Sequence, residues 1–191
     1  MSTSRLAASL LLAGFGGAAL AHPGHESASF VIGFGHPLEG IDHVLAMLAV
    51  GLYASRQRGN ARWALPTAFV AAMLAGAGLA AWGVTLPAVE SAIALSVLVL
   101  GLAIAFAARL PVAAALPIVA GFAVFHGYAH QLEIRDAAAL TYAGGFVLAT
   151  ALLHAAGFAL GHWLPDSGIA GAARRATGSL VALAGAWLLV A

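Results

Sequence analysis

Six apolar segments alternate with short polar interruptions along most of the chain. They cover roughly residues 30–55, 63–83, 88–107, 112–130, 138–163 and 176–191. Each approaches the roughly 20 residues that a helix needs to cross a bilayer core, the last being short. Alternating strands of the membrane-barrel type are absent from the sequence, and lipid admits only helices or closed barrels. The pattern predicts an all-α integral membrane protein, a bundle of six transmembrane helices. Ahead of them stand Arg5, the apolar stretch Leu6 to Leu20 and the small-residue site Ala19-Leu20-Ala21, the layout of a cleaved signal peptide over residues 1–21. The alternative is a first membrane helix, for which the stretch is short. Cleavage after Ala21 makes His22 the mature N-terminus and leaves residues 22–191 as one transmembrane domain.

The polar residues that interrupt the apolar runs are of few kinds. His36-Pro37-Leu38-Glu39-Gly40-Ile41-Asp42-His43 places two imidazoles and two carboxylates in eight residues. Ionisable groups within a lipid-spanning segment cost several kcal/mol and are rarely there without a function. Pro37 suits the first turn of a helix, where its missing N–H is unpaired anyway. From Pro37 to Ser55 a helix rises about 28 Å, enough to cross by itself. Residues 30–35 then form an extra apolar piece, a re-entrant turn or half-helix, and the first helix is expected to break at Gly35–Pro37. On a continuous helix His36, Glu39 and His43 share a face. Asp42 either joins that site or orients a ligand imidazole.

A second cluster is Phe125-His126-Gly127-Tyr128-Ala129-His130-Gln131-Leu132-Glu133. His126, His130 and Glu133 lie at i, i+4 and i+7, one stripe of a helix, and an i, i+4 pair is a usual way to offer two imidazoles to a metal. The plainer readings are interfacial polar groups for the first cluster and hydrogen-bonded core histidines for the second. Glu90, just after Pro87, either complements a helix dipole or belongs to the site. His22 and His25 precede the first helix, and an N-terminal His offers amine and imidazole together. His154 and His162 fall in the inner half of the fifth segment, as packing groups or an exit path. Met47 fits a space-filling role.

Composition sharpens this picture. The chain has 191 residues, 62% hydrophobic and 8% charged, against about 25% charged in soluble domains. A net charge of +1 gives no reason to expect nucleic acid. Zero Cys excludes disulfides, thiolate metal sites and iron–sulfur clusters. With the mature N-terminus outside, the first, third and fifth connections hold Arg56, Arg58 and Arg62, then Arg109, then Arg174 and Arg175. The outer connections hold Arg135 alone, a positive-inside bias. It predicts a bacterial inner-membrane protein with both mature termini periplasmic. It also brings His36 to His43, Glu90 and His126 to Glu133 to one external layer, so that the first and fourth long helices are expected to pack together. Gly157 and Gly161 form a GxxxG pair, which serves packing within a chain or a dimer seam; a homo-oligomer stays open. No nucleotide-binding loop and no HExxH protease signature occur.

The pattern His36-x5-Asp42-His43 with Met47 resembles the H-x5-D-H signature of the HupE/UreJ family of nickel permeases. Phe125-His126-Gly127-x-Ala129-His130-x-x-Glu133 resembles that family's second motif, with Gln131 in place of a Gly. The start Ala21-His22-Pro23-Gly24-His25 is also similar, and the resemblance covers the mature chain. It implies uptake of nickel, in some members cobalt, for hydrogenase or urease assembly. The expected function is a secondary, ATP-independent permease for divalent nickel, with cobalt or zinc as further candidates. Its metal site is drawn from His36, Asp42, His43, His126, His130, Glu133, Glu90 and His22, without a prosthetic group. An intramembrane zinc hydrolase using the same His/Asp cluster is the alternative, and a bis-His haem protein a weaker one.

Overall fold

The computed structural model describes residues 30–133, 139–163 and 167–191. The expected signal peptide, His22 and His25 lie outside them. Among the described residues every regular element is helical. α1 (Phe30–Gly35) runs into a 3-10 turn (His36–Leu38); α2 (Ile41–Ala54), α3 (Ala61–Ala81), α4 (Val89–Ala105), α5 (Val112–Glu133), α6 (Ala139–Trp163) and α7 (Gly168–Leu188) follow. Three of these, α3, α5 over Val112–Leu132 and α6 over Leu140–Trp163, are long and apolar enough to cross a membrane; α2 and α4 are shorter apolar helices. With the alternation of direction enforced by short connections, this is the helical body of a membrane protein.

Three sequence expectations are revised here. The first helix is interrupted where the sequence places the break, since α1 ends at Gly35 and a 3-10 turn carrying Pro37 follows, but the interruption is longer than expected: Gly35 itself keeps right-handed helical angles (φ −72°, ψ −34°). The interruption runs on to Gly40, which is extended (φ −95°, ψ 117°). α2 therefore has 14 residues and rises only about 21 Å. It does not cross the hydrocarbon unaided; α1 and the turn supply the remainder of the first apolar segment. The second correction concerns the last helix. It starts at Gly168 rather than near residue 176, and Arg174 and Arg175 lie in it instead of in a connection. An apolar-run criterion stops at charge, whereas the backbone continues because Arg is a good helix former.

Glycines set the helix spacing. Across α2 and α6, a Cβ on Gly51 would run into the His154 carbonyl, and one on Gly157 into the Leu48 carbonyl. Gly161 meets the Ser55 hydroxyl in the same way. The GxxxG pair is thus engaged within the chain. Across α3 and α5, Gly76 faces the Val124 carbonyl and Gly127 the Met73 carbonyl. Small residues permit such backbone approach, which drives helix association where lipid removes the hydrophobic incentive. The core between them holds Met47, Val50, Leu65, Phe69, Met73 and Val97.

The packing pairs are α3 with α5, α4 with α7, and α6 with both α1 and α2. α2 also packs on α4, and α4 on α5. The third revision is that the first and fourth long helices, α2 and α5, do not pack together as expected: they are not one of the close pairs and meet only through side chains, His43 on His126 and His130. At the far end, partial burial and then the like charges of Arg174, Arg109 and Arg175 lower the pKa of Arg56. Arg56, Arg109, Arg174 and Arg175 therefore gather at one end of the bundle, remote from the starts of α2 and α4 and the end of α5.

Candidate metal centre

The site begins at the break before α2. Asp42 occupies the first turn, and its Oδ1 accepts the backbone N–H of His43 at 2.8 Å and the His43 Nδ1–H at 2.7 Å. An ionised carboxylate only accepts, so the ring proton is on Nδ1 and the lone pair on Nε2. That Nε2 is buried and has no hydrogen-bond partner among the described residues. Gly40 makes the arrangement possible: a Cβ there would stand 2.7 Å from Asp42 Oδ1 and 2.9 Å from His43 Nδ1.

His126 is fixed from α4. Ser96 donates its one hydroxyl proton to the Ile93 carbonyl at 2.6 Å. Toward His126 Nε2, 3.0 Å away, its oxygen can then only accept. His126 therefore carries its proton on Nε2 and presents the lone pair of Nδ1, again buried without a hydrogen-bond partner among the described residues. Two imidazoles from distant motifs are thus held by hydrogen bonds in the tautomers that leave one nitrogen each for a ligand, as an outer partner does for a metal-binding histidine.

The rings converge. His43 meets His126 edge to face at a centroid distance of 4.8 Å and His130 at 4.3 Å. His36 meets His130 at 4.8 Å. His43 is 8% exposed, His130 6% and His126 0%. His36, Glu39, Asp42, His43, Glu90 and His130 line one cavity of about 230 Å³. It lies between the start of α2 and the end of α5. His36 Nδ1 lies 3.7 Å from a Glu39 carboxylate oxygen across the 3-10 turn. They do not share a continuous helical face with His43, as their spacing suggests, because of the break at Gly40; the cavity joins them instead. Glu90 is in the first turn of α4 and on the cavity wall. Glu133 is the last residue of α5. α5 stays helical through Gln131, so the departure from Gly at that position does not break the backbone of the helix. Met47 is fully buried in the core. As they stand, no group of three or more His, Cys, Asp or Glu among the described residues is disposed to hold a metal ion. The arrangement supplies oriented donors around a polar cavity, and side-chain rotation is needed to close them on an ion.

The whole chain can be placed beside known proteins. The HupE / UreJ protein family model matches residues 10–188. This chain belongs to that family. Protein HupE of Rhizobium leguminosarum bv. viciae is 41% identical over 192 residues, covering 100% of both chains. No solved structure matches. For this HupE / UreJ protein the full-length match runs through both histidine motifs and every described helix, so the family membership is that of the whole chain.

Spacing alone does not find Ser96. Its signal in the sequence is slight, one of two serines in α4 beside Ser91 of the first turn. Its removal has a defined expectation: Ser96→Ala leaves the buried His126 N–H without an acceptor and frees the tautomer. Loss of such an orienting partner typically lowers metal affinity about 10–100-fold. Ser96→Thr, which keeps the hydroxyl, is expected to retain most of it. Equilibrium binding of Ni2+ to the purified variants checks this; equal affinity in Ser96→Ala would show that the hydroxyl does not orient a ligand.

Proposed function

We propose that this protein is a secondary permease that takes divalent nickel, with cobalt as second choice, from the periplasm across a bacterial inner membrane. The observation that carries this reading is the meeting of His43 with both His126 and His130 beside a cavity lined by Asp42 and Glu90. Imidazole nitrogens and carboxylates without thiolates suit nickel, cobalt and zinc. The metal ligands are His36, Asp42, His43, His126, His130, Glu90 and Glu133, with Asp42 acting chiefly through His43 and with His22, outside the described residues, as a further donor. All six apolar segments lie in the bilayer, after removal of residues 1–21, and both mature termini are periplasmic. The His cavity then faces outward and the arginine end inward, in keeping with the positive-inside rule.

The membrane potential supplies the driving force. Two charges moving inward gain about 4.6 kcal/mol per 100 mV, roughly three decades of accumulation, without ATP. Incomplete coordination suits this task, since an ion held by every ligand leaves slowly. Delivered inside, the nickel serves hydrogenase or urease assembly.

Radiolabelled nickel uptake in cells, with cobalt, zinc and copper as competitors, tests the proposal. His36→Ala is expected to lower uptake at least tenfold; uptake equal to wild type would remove the outer cavity from the route. An intramembrane zinc hydrolase would instead retain its metal on purification and turn over a lipid or peptide. Protons compete with the ion for imidazole and carboxylate donors, so uptake is expected to fall as the external pH is lowered from neutral. A rise on acidification would instead indicate proton-coupled entry.

A further inference from the structure

We propose that the groove between α3 and α6 is a binding site for one anionic glycerophospholipid, with an acyl chain in the groove and the phosphate at Arg62. The inference needs the bundle to lie in a bilayer but not that it carries nickel. α3 packs chiefly on α5, and α6 on α1 and α2. A cavity of about 600 Å³ is left between α3 and α6, walled by Pro66, Val70 and Leu74 on one side and Ala151 and Ala155 on the other. Leu74, Ala151 and Ala155 are exposed, so the groove opens sideways, toward lipid in a membrane. His154 stands on its wall, but the ring nitrogens are buried. Along its length the groove therefore offers contact to hydrocarbon, and at membrane depth there is no water to fill it.

The length of the groove and the chemistry of its mouth select the occupant. From Trp63 to Leu74, α3 rises about 16 Å, close to one leaflet of a hydrocarbon core about 30 Å thick. A single acyl chain spans that depth from headgroup level to midplane. The mouth is aromatic. Trp63 stacks on Phe158 across the two helices, with ring centroids 5.2 Å apart and planes within 19°, and His162 stacks on Phe158 at 6.0 Å. Trp63, His162 and Trp163 are exposed, as amphipathic rings at the level of the headgroups are. The Arg62 guanidinium, also exposed, lies 5.6 Å from the centre of the Trp63 ring. Thr67, one turn deeper on the groove wall, brings a hydroxyl to the depth of the ester carbonyls. The charge balance asks for an anion. The chain segments at this end hold Arg56, Arg58, Arg62, Arg109, Arg174 and Arg175 against one acid, Asp166. The acids of the described helices and turns, Glu39, Asp42, Glu90 and Glu133, fall at the opposite end. Arginines at a bilayer surface attract anionic headgroups, and a guanidinium donates two parallel N–H bonds to a phosphate.

The test uses the full-length protein, stripped of lipid in a nonionic detergent. It is titrated with phosphatidylglycerol or with phosphatidylcholine of the same acyl chains, and bound lipid is read by native mass spectrometry. Phosphatidylglycerol is expected to occupy one site at least tenfold more tightly than phosphatidylcholine. Arg62→Gln should abolish that preference. Ala71→Trp, which fills the groove from an exposed position on its wall, should weaken binding of both lipids at least tenfold. Equal affinity of the wild type for the two lipids, a preference kept by Arg62→Gln, or unchanged binding by Ala71→Trp each overturns the proposal. If Ala71→Trp does not fold, Ala155→Phe blocks the groove from α6 and is read in the same way. Displacement of the lipid by an equal concentration of glycerol phosphate would put the ligand on the arginines without the groove, and overturns it too. The chain has no Cys, so Thr67→Cys supplies a unique thiol. A disulfide-linked dimer formed through it in vesicles would seat a second copy of the chain in the groove and exclude the lipid.

Discussion

His43→Ala is expected to reduce nickel uptake to the level of cells lacking the protein, while the chain still inserts in the membrane. His43 is the ring common to both motifs, touching His126 and His130. Its Nε2 is one of the two nitrogens whose lone pair is oriented for a ligand. Asp42→Asn should be less severe, because the amide oxygen can still accept the Nδ1–H while the negative charge near the cation is lost. Loss of an orienting partner costs roughly 10–100-fold in metal affinity, and removal of the ligand itself should cost more. The expected order of affinity is therefore wild type, Asp42→Asn, His43→Ala. Titration of purified protein with Ni2+, alongside uptake kinetics, measures it. Unchanged kinetics in Asp42→Asn would take Asp42 out of the site; wild-type binding by His43→Ala would dismiss the cluster as a metal centre.

The second large effect is one of packing. Gly127→Ala should strongly destabilise the protein and abolish metal binding with it. The added Cβ meets the Met73 carbonyl, which is backbone and cannot turn aside, so α5 must move away from α3. Overpacking of this kind costs about 1–3 kcal/mol, occasionally more. Here the displaced residue adjoins His126 and stands one turn from His130. On the same helix, a Cβ added to Gly121 would meet nothing within 4 Å, so Gly121→Ala is the control and should behave as wild type. Thermal loss of the monodisperse protein in detergent, followed by chromatography, reads the difference. Equal stability of the two variants would contradict the α3–α5 contact.

Much of the site is legible in the sequence because ionisable residues are costly in lipid. That cost makes His36, Asp42, His43, His126, His130 and Glu90 conspicuous against an apolar background. Helix direction, counted from the first segment, then places them at one end. The helical character of the segments follows from their length and polarity. Hydropathy sets the start of α7 too late because it reports where charge stops, whereas a helix stops where its backbone does. Pro37 is a strong local signal and draws the expected break to itself. Yet Pro is tolerated in a first turn, so a 3-10 turn continues from it and the interruption extends to Gly40, where the Asp42–His43 pair leaves no room for a Cβ.

The sequence by itself determined the helical elements, their alternation, the absence of thiolate chemistry and the identity of most donor side chains. These are local properties, set by polarity, spacing and the requirement that backbone groups in lipid bond internally. Tertiary structure decided which rings touch, which nitrogen of His43 and His126 bears the proton, and that α2 and α5 face each other across a cavity. It also decided that Ser96 meets His126, and that Trp63, Phe158 and His162 stack at the mouth of one groove. These depend on the rotation and separation of packed helices, which glycine contacts such as Gly127 on Met73 and Gly51 on His154 fix to within a side chain's width. Spacing along one helix carries no record of the face that a distant helix will present to it.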